Sequence, residues 1–192
     1  MEYYEIKING RDFKKSYLIY IVWLRHDSSE YYYVGQTGDR NHKTARPAFR
    51  RLAAHLSDVG KSTENQIYRR IARQILKLEF KDKEKFSEEI KEKVSLFLTT
   101  SEINMFAFPI KEFDAKIEDL VHVDNRKYVE DIEKALIKTM VGKFKTSNVL
   151  NIKQEEAVGI SDSIAIANKI YSTFIAKKKI RTCPKTGTEP CS

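Results

Sequence analysis

Residues 17–24 (YLIYIVWL) are apolar without a break, and they are aromatic or β-branched almost throughout. A run this short with no alternation predicts a strand buried on both faces. Residues 25–30 (RHDSSE) are turn-like, and residues 31–35 (YYYVG) predict a second strand, so the two form an antiparallel hairpin. A loop over residues 26–29 pairs Arg25 with Glu30. Tyr33 then lies opposite Val22 and Tyr20 opposite Gly35, which makes Tyr20 and Tyr33 diagonal neighbours on one face. A register slip of one residue would part them. In these positions the two tyrosines are either core aromatics or members of a polar site.

Beyond residue 47 the period changes. Pro47 suits the first turn of a helix, and Phe49, Leu52, Ala53 and Leu56 recur at helical spacing. A second helix is predicted over residues 63–78, with Ile67, Ile71 and Ile75 on one face. Residues 81–93 carry dense charge of both signs and read as a solvated helix or an insertion. Residues 103–113 predict an edge strand, because Pro109 cannot donate to a ladder. A helix over 124–141 has Asp124 as its cap and Val129, Ile132, Leu136 and Met140 as its stripe. Ser161 caps a last helix carrying Ile164, Ala167, Tyr171, Phe174 and Ile175. The fold class expected is α+β: a small three-stranded antiparallel sheet flanked by helices. Residues 1–16 form a leading arm or strand, 17–151 the main domain with insertions near 38–45 and 81–100, and 152–192 a C-terminal helix with a basic tail.

Composition narrows the class. The chain has 192 residues and is 41% hydrophobic, enough for a real core. No apolar run is long enough to span a bilayer, and the first residues lack the pattern of a secretory signal. The only cysteines, Cys183 and Cys191, both lie in the tail, which excludes a disulfide framework and zinc-finger spacing; a reducing cytoplasmic setting is expected.

The net charge of +8 is uneven. Residues 40–73 hold nine basic side chains (Arg40, Lys43, Arg46, Arg50, Arg51, Lys61, Arg69, Arg70, Arg73) against Asp58 and Glu64. A local excess of this kind marks either a phosphate-backbone binder or a face solvated for solubility. Arg51 and His55 are four residues apart on the predicted helix, on a face well away from its apolar stripe. They are either two surface residues or a pair for a phosphate, one cation that grips two oxygens and one proton carrier. Glu133 falls inside the apolar stripe of its helix. A carboxylate there needs a cation, so it is either a hard-metal ligand, as for Mg²⁺, or half of an ion pair with an arginine.

Together these residues resemble the GIY-YIG nucleases. Leu18-Ile19-Tyr20 stands for the first motif and Tyr33-Val34-Gly35 for the second. Arg51 and His55 match the arginine and histidine of the following helix. Glu133, with Leu136 and Ile137, matches the family's glutamate helix, and Asn148 matches the asparagine after it, with Asn151 as a second candidate. Leu18 replaces the leading glycine and Val34 replaces isoleucine. The resemblance covers residues 17–151.

It implies an endonuclease that hydrolyses DNA phosphodiesters with one Mg²⁺ or Mn²⁺, giving 5′-phosphate and 3′-hydroxyl ends, with RNA as a further possible substrate. Glu133 would hold the metal, Arg51 would neutralise the pentacovalent phosphate, and Tyr20 would act as base or orient the water. His55 would assist that proton transfer, Tyr33 would position water or phosphate, and Asn148 would pin the site. The role expected is a stand-alone restriction or defence nuclease, a homodimer if it cuts a palindrome, with no membrane partner. The alternatives are a nucleic-acid-binding module that has lost catalysis and a homing or repair nuclease of the same family.

Overall fold

The computed structural model describes residues 7–59, 65–81, 85–151 and 161–182. Three antiparallel strands form one sheet in the order β2-β1-β3, with β1 Ser16–His26, β2 Ser29–Gln36 and β3 Glu102–Glu112. Among the described residues five α-helices flank it: α1 Ala48–Leu56, α2 Gln66–Arg70, α3 Glu88–Thr99, α4 Asp119–Lys143 and α5 Ser161–Thr182. The fold is therefore α+β, as the patterning predicts. Among the described residues no helix is long and apolar enough to cross a membrane.

The unbroken apolar run becomes β1, and its central position explains that composition. All of Ser16 to Leu24 is buried, because helices cover both faces of the strand and neighbours pair both its edges. Tyr17, Ile19, Ile21 and Trp23 face a dry core built with α4 and α5. Leu18, Tyr20, Val22 and Leu24 face a second core built with α1, α2 and α3. The β1–β2 register has Arg25 opposite Glu30, Val22 opposite Tyr33 and Tyr20 opposite Gly35, as predicted. The turn is tighter than the expected four-residue loop. His26 pairs with Ser29, so Asp27 and Ser28 alone make the turn, and Asp27 takes a left-handed φ of 51°. Beyond the ladder, Thr37 Oγ1 accepts from Leu18 N at 3.1 Å and donates to Ser16 O at 2.6 Å, tying the end of β2 to the start of β1.

Three helices differ from the sequence expectation. Part of the charged stretch over residues 81–93, expected as a solvated helix or an insertion, is the first half of α3, and its other face is buried. Ser87 caps α3 by accepting from Ile90 N at 3.3 Å, and Ile90, Val94 and Phe97 enter the second core. Its charges form the outer face, as in the Lys93–Glu89 pair at 2.6 Å. The helix α4 starts at Asp119, ahead of Asp124, because His122 and Asn125 also find buried partners on the sheet side. The predicted second helix is α2 followed by a wider turn over residues 71–75, closed by Lys77 at φ 56°. Residues 63 and 64 of that prediction lie outside the described residues.

The last helix belongs to the same packing unit as the sheet. Its buried positions are Ser163, Ala167, Ile170 and Phe174, while Ile164 of the predicted stripe is exposed. Phe174 meets Phe106 and Tyr32 edge-on, with ring centres 5.1 and 6.0 Å apart. One basic residue of its end points inward: Lys178 donates to Glu30 at 2.5 Å and to the Tyr32 hydroxyl at 2.7 Å, over the Trp23 ring. Cys183 and Cys191 lie outside the described residues, as do residues 1–6 of the predicted arm and residues 82–84 of the predicted insertion. Replacing Phe174 with alanine is expected to cost about 3–5 kcal/mol while leaving one cooperative transition. Urea unfolding followed by near- and far-UV circular dichroism checks this; separate transitions would show that α5 folds apart from the sheet.

Candidate active site

Tyr20 lies in the middle of β1, and its partner across the ladder is Gly35. A β-carbon at Gly35 would overlap the Tyr20 ring and hydroxyl, so glycine is what lets the side chain lie across β2. The ring is fully buried, and a buried hydroxyl needs partners. Two come from α1: His55 Nε2 is 2.6 Å from the hydroxyl and Arg51 Nη2 is 3.4 Å away. Arginine can only donate, so the Tyr20 oxygen accepts from Arg51, while the tautomer of His55 sets the direction of the Tyr20–His55 hydrogen bond. Burial pushes the Tyr20 hydroxyl up to about 12, only partly offset by Arg51, so at neutral pH it is a phenol.

Tyr33 is the diagonal neighbour, with its ring centre 6.4 Å from that of Tyr20 and 5.0 Å from that of His55. Its hydroxyl donates to Gln66 Oε1 at the start of α2. Burial, reinforced by Tyr20 and Glu133, raises it well above 10.

The orientation of α1 differs in part from the sequence expectation: Leu52 and Leu56 of the predicted stripe pack against the second core, but its other half does not. Arg51 and His55 were expected on a face away from the core, with Phe49 and Ala53 inward. Instead His55 is fully buried and Arg51 half-buried over the sheet, while Phe49 and Ala53 are exposed. Phe49 packs on Phe13 at 5.3 Å between ring centres. The reason is that the sheet under α1 carries a hydroxyl, so the polar side of the helix has the better partner there.

Beside this group opens a cleft of about 590 Å³, lined by Tyr33, Arg51, Gln66, Arg70, Glu130, Glu133 and Asn151 and by the loop after β2. Glu133 has no hydrogen bond or ion pair among the described residues. Burial pushes its carboxyl up to about 8, and neighbouring Glu130 adds to the effect against the opposing pull of Arg51 and Arg40. Glu130, one turn earlier on α4, is by contrast well paired, with Arg126 Nη1 at 2.6 Å and Arg40 Nε at 3.0 Å.

The asparagine in the cleft is Asn151, not Asn148. Residues 149–151 run along the outer edge of β2, where Leu150 N donates to Tyr32 O at 2.7 Å. Asn151 extends that edge with its side chain, accepting from Val34 N at 2.9 Å and donating to Val34 O at 2.8 Å. Asn148 ends a short 3₁₀ turn, where it accepts from Ser147 Oγ at 3.1 Å, and it does not line the cleft.

The basic window divides in the same way. Arg40, Arg46, Arg51 and Arg70 reach the cleft, joined by Lys134. Lys43 pairs with Asp119 at 3.0 Å, and Arg50 is on the exposed side of α1. Arg69 and Arg73, expected to contact nucleic acid, do not line the cleft and pack on aromatic rings. Arg69 is buried against the Phe86 ring at 4.7 Å and donates to Asn65 Oδ1 at 2.9 Å. Arg73 lies over Phe80 at 4.4 Å and donates to Phe80 O at 2.6 Å. Aromatic faces hold both guanidiniums, a destination that a charge count cannot distinguish from solvent. Lys61 lies outside the described residues.

Sequence reading missed Gln66, Glu130 and Lys134. Only Glu130 left a signal, at i+4 from Arg126 and one turn before Glu133. Among the described residues no group of three or more His, Cys, Asp and Glu side chains is arranged to hold a metal ion. A single open carboxylate is nevertheless a sufficient protein ligand for Mg²⁺, which keeps most of its waters. Compared with known proteins, the chain matches no family model, no curated protein and no solved structure.

Replacing Gly35 with alanine is expected to cost about 1–3 kcal/mol by overpacking, and to displace the Tyr20 ring. Urea unfolding measures the first, and loss of the Tyr20–His55 hydrogen bond in NMR spectra the second. A second test concerns Glu133, whose folded value lies above its ordinary 4.5. Folding therefore favours the protonated form. The contribution of Glu133 to the stability of the metal-free protein should be full below pH 4.5 and be lost as pH rises from there to about 8. Glu133→Gln should flatten that decline and be the more stable form above pH 8. Urea midpoints across a pH series decide it; parallel profiles would remove the assignment.

Proposed function

We propose that the protein is a metal-dependent endonuclease of the GIY-YIG type, acting on DNA. The observation that carries this reading is the meeting, at one basic cleft, of Arg51 and Tyr33 with the Glu133 carboxylate, which makes no ion pair among the described residues; Arg51 joins the cleft to the buried Tyr20–His55 pair. The cleft residues suit a Mg²⁺ or Mn²⁺ ion: Glu133 lines the cleft, is charged once deprotonated, and makes no ion pair among the described residues. When bound, such an ion would bind a phosphate oxygen and offset charge on the leaving 3′ oxygen.

The protein's own groups divide the rest of the work. Arg51 donates to the non-bridging oxygens of the pentacovalent phosphate. Tyr20 is not a phenolate at rest, so it acts as a relay. Its hydroxyl proton passes to His55 Nε2 at 2.6 Å as its oxygen takes a proton from the attacking water. The water oxygen forms the new bond to phosphorus, the bond from phosphorus to the 3′ oxygen breaks, and that oxygen is protonated by solvent. The products carry a 5′-phosphate and a 3′-hydroxyl. Tyr33, held by Gln66, orients the water or the phosphate from the other side. Asn151 keeps the edge of β2 in place beneath them. Arg40, Arg46, Arg70 and Lys134 supply charge for the flanking backbone. The biological role we assign is restriction or defence in the cytoplasm, with two copies cutting the two strands of a symmetric site.

Supercoiled plasmid with Mg²⁺ tests the reading. Wild type should nick or linearise it, and Arg51→Ala and Glu133→Ala should each lose at least about a hundredfold in rate. Activity that survives both substitutions removes the site. Salt-dependent binding with no turnover, even with Mn²⁺, identifies a binding module instead.

A further inference from the structure

The loop between β2 and α1 is exposed at its tip and braced at its base. Gly38 bridges to Ala45, and Asp39 N donates to Thr44 O at 3.1 Å. The Asp39 carboxylate accepts from the backbone amides of Asn41 and His42 at 2.9 and 3.2 Å, and from Arg46 Nη2 at 2.9 Å.

One face of α4 supports the loop from outside. His122, Arg126 and Glu130 recur every fourth residue and so share a face. His122 Nε2 meets Asp39 O at 3.1 Å, and its Nδ1 lies 2.6 Å from the Tyr17 hydroxyl. A carbonyl only accepts, so Nε2 carries a proton and donates to Asp39 O. Arg126 packs where a β-carbon on Gly38 would stand, and it donates to Glu130, which also accepts from Arg40. A loop held this firmly has little conformational freedom left to lose on binding a partner.

At the tip, the side chain of Asn41 is treated differently. It is exposed and lines the cleft, and its backbone amide is engaged by Asp39. Its side-chain amide makes no hydrogen bond among the described residues, which leaves one acceptor and two donors facing the space where substrate would lie. Asparagine can pair in two-point fashion with the N6 and N7 edge of adenine.

Building on the nuclease reading, we propose that this loop is the sequence-reading element, with Asn41 contacting a base edge, adenine for preference, beside the scissile phosphate. Its base, Asp39 with Arg46, and the supporting face of α4 hold it in register with Arg51 and Glu133.

The test separates the reading of bases from cleavage. Protein in EDTA is mixed with duplexes randomised over a short window, and the bound pool is sequenced. Wild type should enrich adenine at one position or more. Asn41→Ala should lose about tenfold or more of that preference while keeping the others. Asn41→Asp, similar in shape but without the amide donors, should lose it as well. Three results overturn the proposal alone: wild-type binding with no base preference, an unchanged profile in Asn41→Ala, or weaker binding equally across all sequences. Absence of wild-type binding to any duplex overturns the nucleic-acid reading with it.

Discussion

The hydroxyl of Tyr20 is the constraint on which one half of the molecule is organised. A strand buried on both faces carries it into the interior, where a phenol without a partner is costly. His55 and Arg51 satisfy it, and to do so α1 must turn its polar side to the sheet. That rotation leaves Phe49 outside against Phe13 and brings a guanidinium to the edge of the cleft. Gly35 completes the arrangement by leaving room for the ring. The grouping is thus a consequence of packing as much as of any chemistry it performs.

The two faces of the sheet divide the tasks. The face under α4 and α5 is apolar apart from a few paired groups, such as Tyr17 with His122 and Lys178 with Glu30 and Tyr32. It supplies stability, and it fixes α4 so that Glu133 meets the cleft from the side. The face under α1 to α3 has apolar packing at one end and the Tyr20, Tyr33, His55 and Arg51 group at the other. Burial pushes the Glu133 carboxyl up to about 8, so at neutral pH the metal-free site holds it mainly as the neutral acid, with no ion pair among the described residues.

Much of the site was legible because it sits on strands and helices with strong periodicity. The register of the hairpin follows from the turn and the alternation of residues, so the diagonal placement of Tyr20 and Tyr33 could be read in advance. Glu133 was visible as a charge inside an apolar stripe. Asn148 and Asn151 could not be told apart, because the difference is which one meets the free edge of β2, a contact between residues 117 positions apart. Arg69 and Arg73 looked like Arg70, although only Arg70 reaches the cleft; the aromatic rings that hold the other two come from residues 80 and 86. Gln66 and Lys134 carried no signal to separate them from surface residues, whereas Glu130 could have been found from its spacing to Arg126 and Glu133.

The sequence by itself determined the element types, the central position of the first strand, the hairpin register and the concentration of basic charge. All of these depend on neighbours along the chain or on the two-residue and 3.6-residue periods of burial. The tertiary structure decided which way α1 faces, which arginines reach the cleft, which asparagine joins it and how the loop at residues 38–45 is braced. Each of those is settled by competition among partners distant in sequence. A polar group goes where its hydrogen bonds are satisfied rather than where a helical wheel would place it.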